Sequence, residues 1–101
     1  MTGRARLRER LASGRTLVAP GATDALSAKL IERHGFEAVY IGSYATASSR
    51  YALPDTGLLR LEDLAAQAKT IAGAVSIPVI ADAEGGFHPP EEMWRTVRAF
   101  E

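Results

Sequence analysis

The chain has 101 residues, of which 47% are hydrophobic and 24% are charged, a composition that excludes a disordered or fibrous protein and suits one globular domain. Twelve basic residues balance twelve acidic ones, so the net charge gives no electrostatic reason to expect a nucleic acid or a membrane as partner. Cysteine is absent and no apolar run approaches the length of a membrane span, which excludes disulfides and thiolate metal sites in this stretch and predicts a cytoplasmic location.

The first half of the chain alternates helix-like and strand-like segments. Residues 1–15 predict a short amphipathic surface helix that ends at Gly14. The sequence TLVAPG, residues 16–21, predicts the first strand. Apolar residues at helical spacing predict a helix over residues 22–35, and EAVYIGS, residues 37–43, predicts the second strand.

The second half continues this alternation after one long connection, residues 43–59. Because this connection leaves the carboxyl end of a strand, we expect a functional loop, with an ordered surface loop that turns at residues 54–57 as the alternative. Residues 61–75 predict a helix, residues 77–82 predict a third, nearly all-apolar strand, and residues 89–101 predict a final helix. Strands that alternate with helices predict an α/β fold with a parallel sheet.

Two acidic residues follow the third predicted strand directly. In an extended backbone Asp82 and Glu84 point to the same side, and two carboxylates at the end of a buried strand are typical of a magnesium site. Gly85 and Gly86 allow the backbone to approach a bound anion closely. A solvated acidic turn before the next helix is the alternative, and the spacing leaves both open. For His88, a solvated loop histidine is favoured over a catalytic one.

Four short motifs occur in a fixed order along the chain. They are Pro-Gly-x-x-Asp-Ala at 20–25, Gly-Phe-x-Ala-x-Tyr at 35–40, Leu-Pro-Asp-x-Gly at 53–57 and Asp-Ala-acid-x-Gly at 82–86. In this order the motifs resemble the N-terminal part of the isocitrate lyase and phosphoenolpyruvate mutase superfamily. Its short members include methylisocitrate lyase, oxaloacetate decarboxylase and carboxyphosphonoenolpyruvate mutase. The resemblance extends from Leu17 to the end of the chain.

The resemblance implies a fold and an activity. The fold is a TIM-type (β/α)8 barrel, of which residues 1–101 would be the N-terminal part of a single domain, its first three β/α units, incomplete at this length. The activity is that of a Mg²⁺- or Mn²⁺-dependent lyase or mutase that acts on an α-oxo or enol carboxylate. Such enzymes cleave or form C–C or P–C bonds through a metal-stabilised enolate, and a homo-oligomer is expected at full length. The alternative is a non-catalytic fragment that serves as a structural or interaction piece, since the family's later catalytic loop would lie beyond residue 101.

The resemblance also assigns metal-binding and catalytic roles. Asp82 corresponds to the aspartate that ligates the metal directly. Glu84 stands where the family usually has a second aspartate that holds a metal-bound water, and its side chain is one methylene longer. Asp55 corresponds to an aspartate near the metal waters and the substrate, and Tyr40 to the tyrosine that ends the second strand and lines the pocket. We therefore expect Asp55 and Tyr40 to act in catalysis.

The substrate-binding residues implied by the resemblance are Gly42, Ser43 and Tyr44. They stand where the family often has Ser-Gly-Gly, whose backbone and hydroxyl receive the substrate carboxylate. Here the serine is displaced by one position and the bulky Tyr44 is added, so the resemblance implies a carboxylate substrate without identifying it.

Overall fold

Two short parallel strands form the sheet of the computed structural model, which describes residues 1–101. Strand β1 (Val39–Ile41) pairs with strand β2 (Val79–Ala81), and Tyr40 lies opposite Ile80 in the ladder. The Val39 N–H donates to the Pro78 carbonyl and the Asp82 N–H donates to the Ile41 carbonyl, each at 2.9 Å. The second and third predicted strands are thus confirmed with narrower bounds, and the carboxyl ends of both strands lie at one edge of the sheet.

The predicted first strand, residues 16–21, forms only an isolated parallel bridge between Gly21 and Tyr40, so the prediction of a full strand was wrong. The Tyr40 N–H donates to the Pro20 carbonyl and the Ala22 N–H donates to the Tyr40 carbonyl, each at 2.9 Å. The next ladder bond toward the N-terminus would need an N–H on residue 20, which proline lacks. This segment therefore lies beside β1 without extending the ladder.

Five α-helices and one 3₁₀ turn surround the strands. Each helix that the sequence predicted is present, usually one to three residues shorter at each end. None of the helices has the length and apolar character that crossing a bilayer requires. The helices are α1 (Gly3–Ala12), α2 (Ala25–Arg33), α3 (Ser43–Tyr51), α4 (Leu61–Ala74) and α5 (Met93–Phe100), which follows the 3₁₀ turn Pro90–Glu92.

Side chains cap three of these helices at their N-termini, and at α1 the Thr2 hydroxyl oxygen accepts the Ala5 N–H at 3.1 Å. The Asp24 carboxylate accepts the Ser27 N–H at 2.7 Å, and the Ser27 hydroxyl in return accepts the Asp24 N–H at 3.2 Å, which forms a capping box at α2. Asp63 accepts the Arg60 N–H at 2.8 Å at the start of α4. These bonds pair backbone donors that a helix start otherwise leaves without a partner.

Helix α3 occupies the first half of the connection that the sequence predicted as a loop over residues 43–59. That prediction was wrong for residues 43–51, because SYATASSRY lacks the apolar periodicity by which the other helices were predicted. The helix buries Thr46 and Ala47 completely and contacts α4, so tertiary packing stabilises it. It ends at Ala52, whose φ of 54° is left-handed, and only residues 52–60 remain a loop.

The hydrophobic core lies on one face of the sheet. Val39 and Ile41 are buried, whereas Tyr40 between them keeps 40% of its surface exposed, because successive side chains of a strand point to opposite faces. Helices α2 and α4 pack against the face of Val39 and Ile41. The core cluster consists of Ala22, Ala28, Val39, Ile41, Ala68 and Ile71.

Candidate active site

A cavity of about 440 Å³ lies where the carboxyl ends of β1 and β2 meet the loop after α3. Three of the predicted catalytic, substrate-binding and metal-binding residues line this cavity, namely Ser43, Asp55 and Glu84. Gly85 and His88 line it as well. Parallel α/β proteins build their binding sites at this edge of the sheet, so the structure places part of the predicted set where a site is expected.

The N-terminus of α3 contributes backbone donors beside this cavity. No side chain caps it, and the Gly42 carbonyl accepts the Thr46 hydroxyl at 2.8 Å and the Thr46 N–H at 3.2 Å. Ser43 keeps 8% of its surface exposed, whereas Tyr44 is 71% exposed and does not line the cavity. Uncapped N–H groups and the positive end of the helix dipole favour a negatively charged group at this position.

Tyr40 lies beside the cavity without lining it. Its ring packs against Gly42, and a Cβ added at position 42 would lie only 3.2 Å from Tyr40 Cε1. A glycine at position 42 therefore gives the tyrosine ring room at the start of α3. The structure places Tyr40 next to the predicted substrate-binding segment, on the sheet face opposite the core.

The acidic loop, residues 82–88, begins as an extension of β2 and then turns. The Asp82 N–H pairs with the Ile41 carbonyl, and the Asp82 Oδ1 accepts the N–H of Glu84 at 2.7 Å. Glu84 has a left-handed φ of 52°, so the extended backbone that the sequence analysis assumed does not continue through Glu84. Glu84 lines the cavity and Asp82 does not.

The carboxylates at this edge fit a magnesium ion by their chemistry. The structure contains no cluster of three or more His, Cys, Asp or Glu side chains arranged to hold a metal. Magnesium commonly takes only one or two protein carboxylates, with water and substrate as further ligands. The carboxylates of Asp55 and Glu84 form no hydrogen bond or ion pair, and Asp82 uses only Oδ1, so oxygen ligands remain free on all three.

Contacts that the sequence analysis did not predict hold these elements in place. Gln67 of α4 is 2% exposed, donates to the Thr23 carbonyl at 2.7 Å and accepts from the Arg50 guanidinium at 2.7 Å. His88, predicted as a solvated loop residue, is instead half-buried, and its Nδ1 lies 2.9 Å from the Thr96 hydroxyl. No local signal predicts such contacts, because the partners come from different elements.

Two carboxyl groups with perturbed pKa values lie away from the cavity. The Ser27 backbone N–H, and then its hydroxyl, lower the pKa of Asp24. The Ser76 hydroxyl, and then its backbone N–H, lower the pKa of Glu32. Both groups stabilise the fold, at the start of α2 and between α2 and the segment before β2, and neither is a candidate for catalysis.

A family model described as phosphoenolpyruvate phosphomutase matches residues 7–101. The chain belongs to this family. It is 45% identical to 2,3-dimethylmalate lyase of Eubacterium barkeri, over all of this chain and 35% of that protein. It is 42% identical to 2-methylisocitrate lyase of Aeropyrum pernix, over 94% of this chain and 30% of that protein.

A solved structure of phosphonopyruvate hydrolase in complex with oxalate and Mg²⁺ is similar to this fold. It matches with a TM-score of 0.89 and 37% identity, over 99% of this chain and 35% of that one. The resemblance inferred from the four motifs and the α/β fold class are therefore confirmed. The chain spans about a third of the length of the curated relatives it matches.

Proposed function

We propose that residues 1–101 form the N-terminal part of a single (β/α)8 barrel domain, its first three β/α units. The domain belongs to a Mg²⁺- or Mn²⁺-dependent lyase or mutase that cleaves or forms C–C or P–C bonds in an α-oxo or enol carboxylate. The observation that carries this proposal is the convergence of Ser43, Asp55 and Glu84 on one cavity at the carboxyl edge of the sheet. Membership of the family and the neighbour that holds oxalate and Mg²⁺ support it.

The start of α3 receives the substrate carboxylate in this proposal. Backbone N–H groups of Gly42, Ser43 and Tyr44 have no capping side chain, and the helix dipole adds to their attraction for an anion. Ser43 lines the same cavity. Tyr44 contributes only its backbone N–H, because its side chain is largely exposed and does not line the cavity.

The acidic residues hold the cation and polarise the substrate. Asp82 and Glu84 would hold the metal, the first directly and the second directly or through water. A bound cation would supply positive charge beside the substrate carboxylate, where negative charge develops during bond cleavage. Asp55, which also lines the cavity, orients water and substrate, and Tyr40 lies next to Gly42 beside the cavity.

The proposal includes a partner and a location. The partner is a small carboxylate, and nucleic acids and membranes are not partners. The active protein is a homo-oligomer in the cytoplasm.

A non-catalytic interaction piece is the second candidate function. It is favoured by a larger, mainly apolar cavity of about 1180 Å³ between β2, α4 and α5. Trp94 and Val97 of α5 each keep 57% of their surface exposed nearby. Apolar surface of this kind marks a face that another polypeptide covers.

An activity screen distinguishes the two candidates. The protein expressed from its own gene is mixed with 2,3-dimethylmalate, 2-methylisocitrate, oxaloacetate or phosphonopyruvate, with Mg²⁺ or with EDTA, and products are followed by proton and phosphorus NMR. We expect turnover of at least one compound with Mg²⁺ only. Glu84→Gln should lower it, whereas Glu62→Gln, the same change at an exposed position of α4, should not. If the protein shows neither turnover nor Mg²⁺-dependent binding of oxalate, the enzyme proposal is wrong and the non-catalytic interaction role is supported.

A further inference from the structure

The Thr96 hydroxyl connects the acidic loop to helix α5. Thr96 is 3% exposed, and its Oγ1 donates to the Gly86 carbonyl. The same oxygen lies 2.9 Å from Nδ1 of His88. One buried hydroxyl thus bonds to two residues of the loop that carries Asp82 and Glu84, and we call these three groups (Gly86 O, Thr96 Oγ1 and His88 Nδ1) the Thr96 clasp.

Counting protons in the clasp fixes the tautomer of the histidine. A threonine hydroxyl has one proton, and the Gly86 carbonyl can only accept, so the proton of Thr96 points to Gly86. Nδ1 of His88 must therefore donate to Thr96 Oγ1. In the neutral imidazole this leaves Nε2 as an acceptor, and Nε2 has no hydrogen-bond partner in the structure.

The backbone of the loop needs an external restraint. Glu84 and Phe87 have left-handed φ values of 52° and 63°, which L-residues rarely adopt, and Gly86 has a φ of 96°. Inside the loop only two hydrogen bonds oppose this strain, from Glu84 N–H to Asp82 and from Gly86 N–H to the Ala83 carbonyl. The Thr96 hydroxyl supplies the only hydrogen bond between residues 83–87 and a helix.

Packing at the same point leaves the loop little freedom to move toward α5. A Cβ added at Gly86 would overlap the Sδ and Cε atoms of Met93. The loop backbone therefore lies directly against the first turn of α5, and the clasp fixes the distance between them.

We propose that Thr96 and His88 are positioning residues that hold the acidic loop in the conformation in which Glu84 lines the 440 Å³ cavity. The consequence for metal binding rests on the proposed function, because it assumes that Asp82 and Glu84 bind the cation. Neither Thr96 nor His88 needs to touch the metal for this role. Their hydrogen bonds stabilise the strained conformation of the loop relative to its alternatives.

Three variants test the clasp. Thr96→Val keeps the shape of the side chain and removes the hydroxyl, and Thr96→Ser restores the hydroxyl without the methyl group. Thr70→Val is the matched control, since the exposed Thr70 hydroxyl also donates to a backbone carbonyl, that of Ala66 at 3.0 Å, on α4. Each variant is made in the 101-residue chain and in the protein expressed from its own gene.

Two measurements need no metal. Nitrogen-15 NMR of the neutral imidazole reports the tautomer of His88, which we expect to carry its proton on Nδ1 in the parent and in Thr96→Ser and to lose this preference in Thr96→Val. Amide hydrogen exchange reports the loop, where the Gly86 N–H should exchange about tenfold faster in Thr96→Val, with the core strands unchanged. An Nε2–H tautomer in the parent, or equal acceleration throughout the chain, would overturn the proposal.

A third measurement tests the consequence for the cation. Mn²⁺ affinity, followed by water-proton relaxation, should fall about 10- to 100-fold in Thr96→Val, recover in Thr96→Ser and stay unchanged in Thr70→Val. Unchanged affinity in Thr96→Val would contradict a positioning role toward the metal. A parent that binds no Mn²⁺ would contradict the proposed metal site instead, and the tautomer and exchange data would still decide the clasp.

Discussion

Replacing Gln67 by leucine should destabilise the fold by removing the contact that joins three elements. The buried amide of Gln67 on α4 donates to the Thr23 carbonyl before α2 and accepts from Arg50 at the end of α3, both at 2.7 Å. Leucine has a similar volume, so the substitution removes two hydrogen bonds without leaving a large cavity.

The expected magnitude follows from what each partner loses. The exposed Arg50 guanidinium can return to water, so its lost bond costs little. The half-buried Thr23 carbonyl loses its side-chain donor, and an acceptor left without a partner costs about 1–3 kcal/mol. Added apolar burial of leucine offsets part of this, so we expect the free energy of unfolding to fall by about 2 kcal/mol.

Urea unfolding at constant pH measures this change, with an unchanged m-value as the condition for comparing the two proteins. Gln67→Glu is the companion variant, because it keeps an acceptor for Arg50 but places a buried carboxylate oxygen against the Thr23 carbonyl. It should therefore destabilise the fold at least as much as Gln67→Leu. A change below about 0.5 kcal/mol in Gln67→Leu, the range of an ordinary surface substitution, would refute the reasoning.

Three other changes have outcomes that the structure predicts. Ala52→Gly should raise the free energy of unfolding in urea by about 1 kcal/mol, because residue 52 ends α3 with a left-handed φ, and no gain would mean that this strain is absent. Asp82→Ala should weaken Mn²⁺ binding more than Glu84→Ala, whose loss should be about 10- to 100-fold if it acts through water; an Asp82→Ala protein that binds as tightly as the parent disproves the metal assignment. The Ser76 hydrogen bonds keep the pKa of folded Glu32 below its ordinary value of 4.5. Their contribution to the free energy of unfolding is therefore complete above pH 4.5 and is lost as the pH falls through the pKa of the folded state. Glu32→Gln should therefore make stability less dependent on pH in this acidic range, as urea titrations at several pH values would measure, and an unchanged dependence would contradict the assignment.

Elements with strong local signals were predicted from the sequence alone. Helix α4 was expected over residues 61–75 and forms over Leu61–Ala74, because leucine and alanine at helical spacing favour both the backbone conformation and the packing of one face. The apolar run 77–82 contains β2 for a similar reason. The order of the four motifs was sufficient to indicate the family, since it depends only on residue identity along the chain.

Elements without such signals needed the tertiary structure. SYATASSRY has no apolar periodicity that would predict α3, which is stabilised by burying Thr46 and Ala47 against the rest of the fold. The missing first strand depends on a single absent N–H at Pro20, whose effect is visible only when the pairing with Tyr40 is known.

By itself the sequence determined which chemical groups follow each helix and strand along the chain. Only the tertiary structure decided which of these groups share a cavity. Local spacing fixes backbone conformation over a few residues, but Ser43 and Glu84 are about forty residues apart. They meet because β1 and β2 pair in parallel, which brings both carboxyl ends to one edge of the sheet. The same holds for Thr96 and Gly86, which come together because α5 packs back on the loop that precedes it.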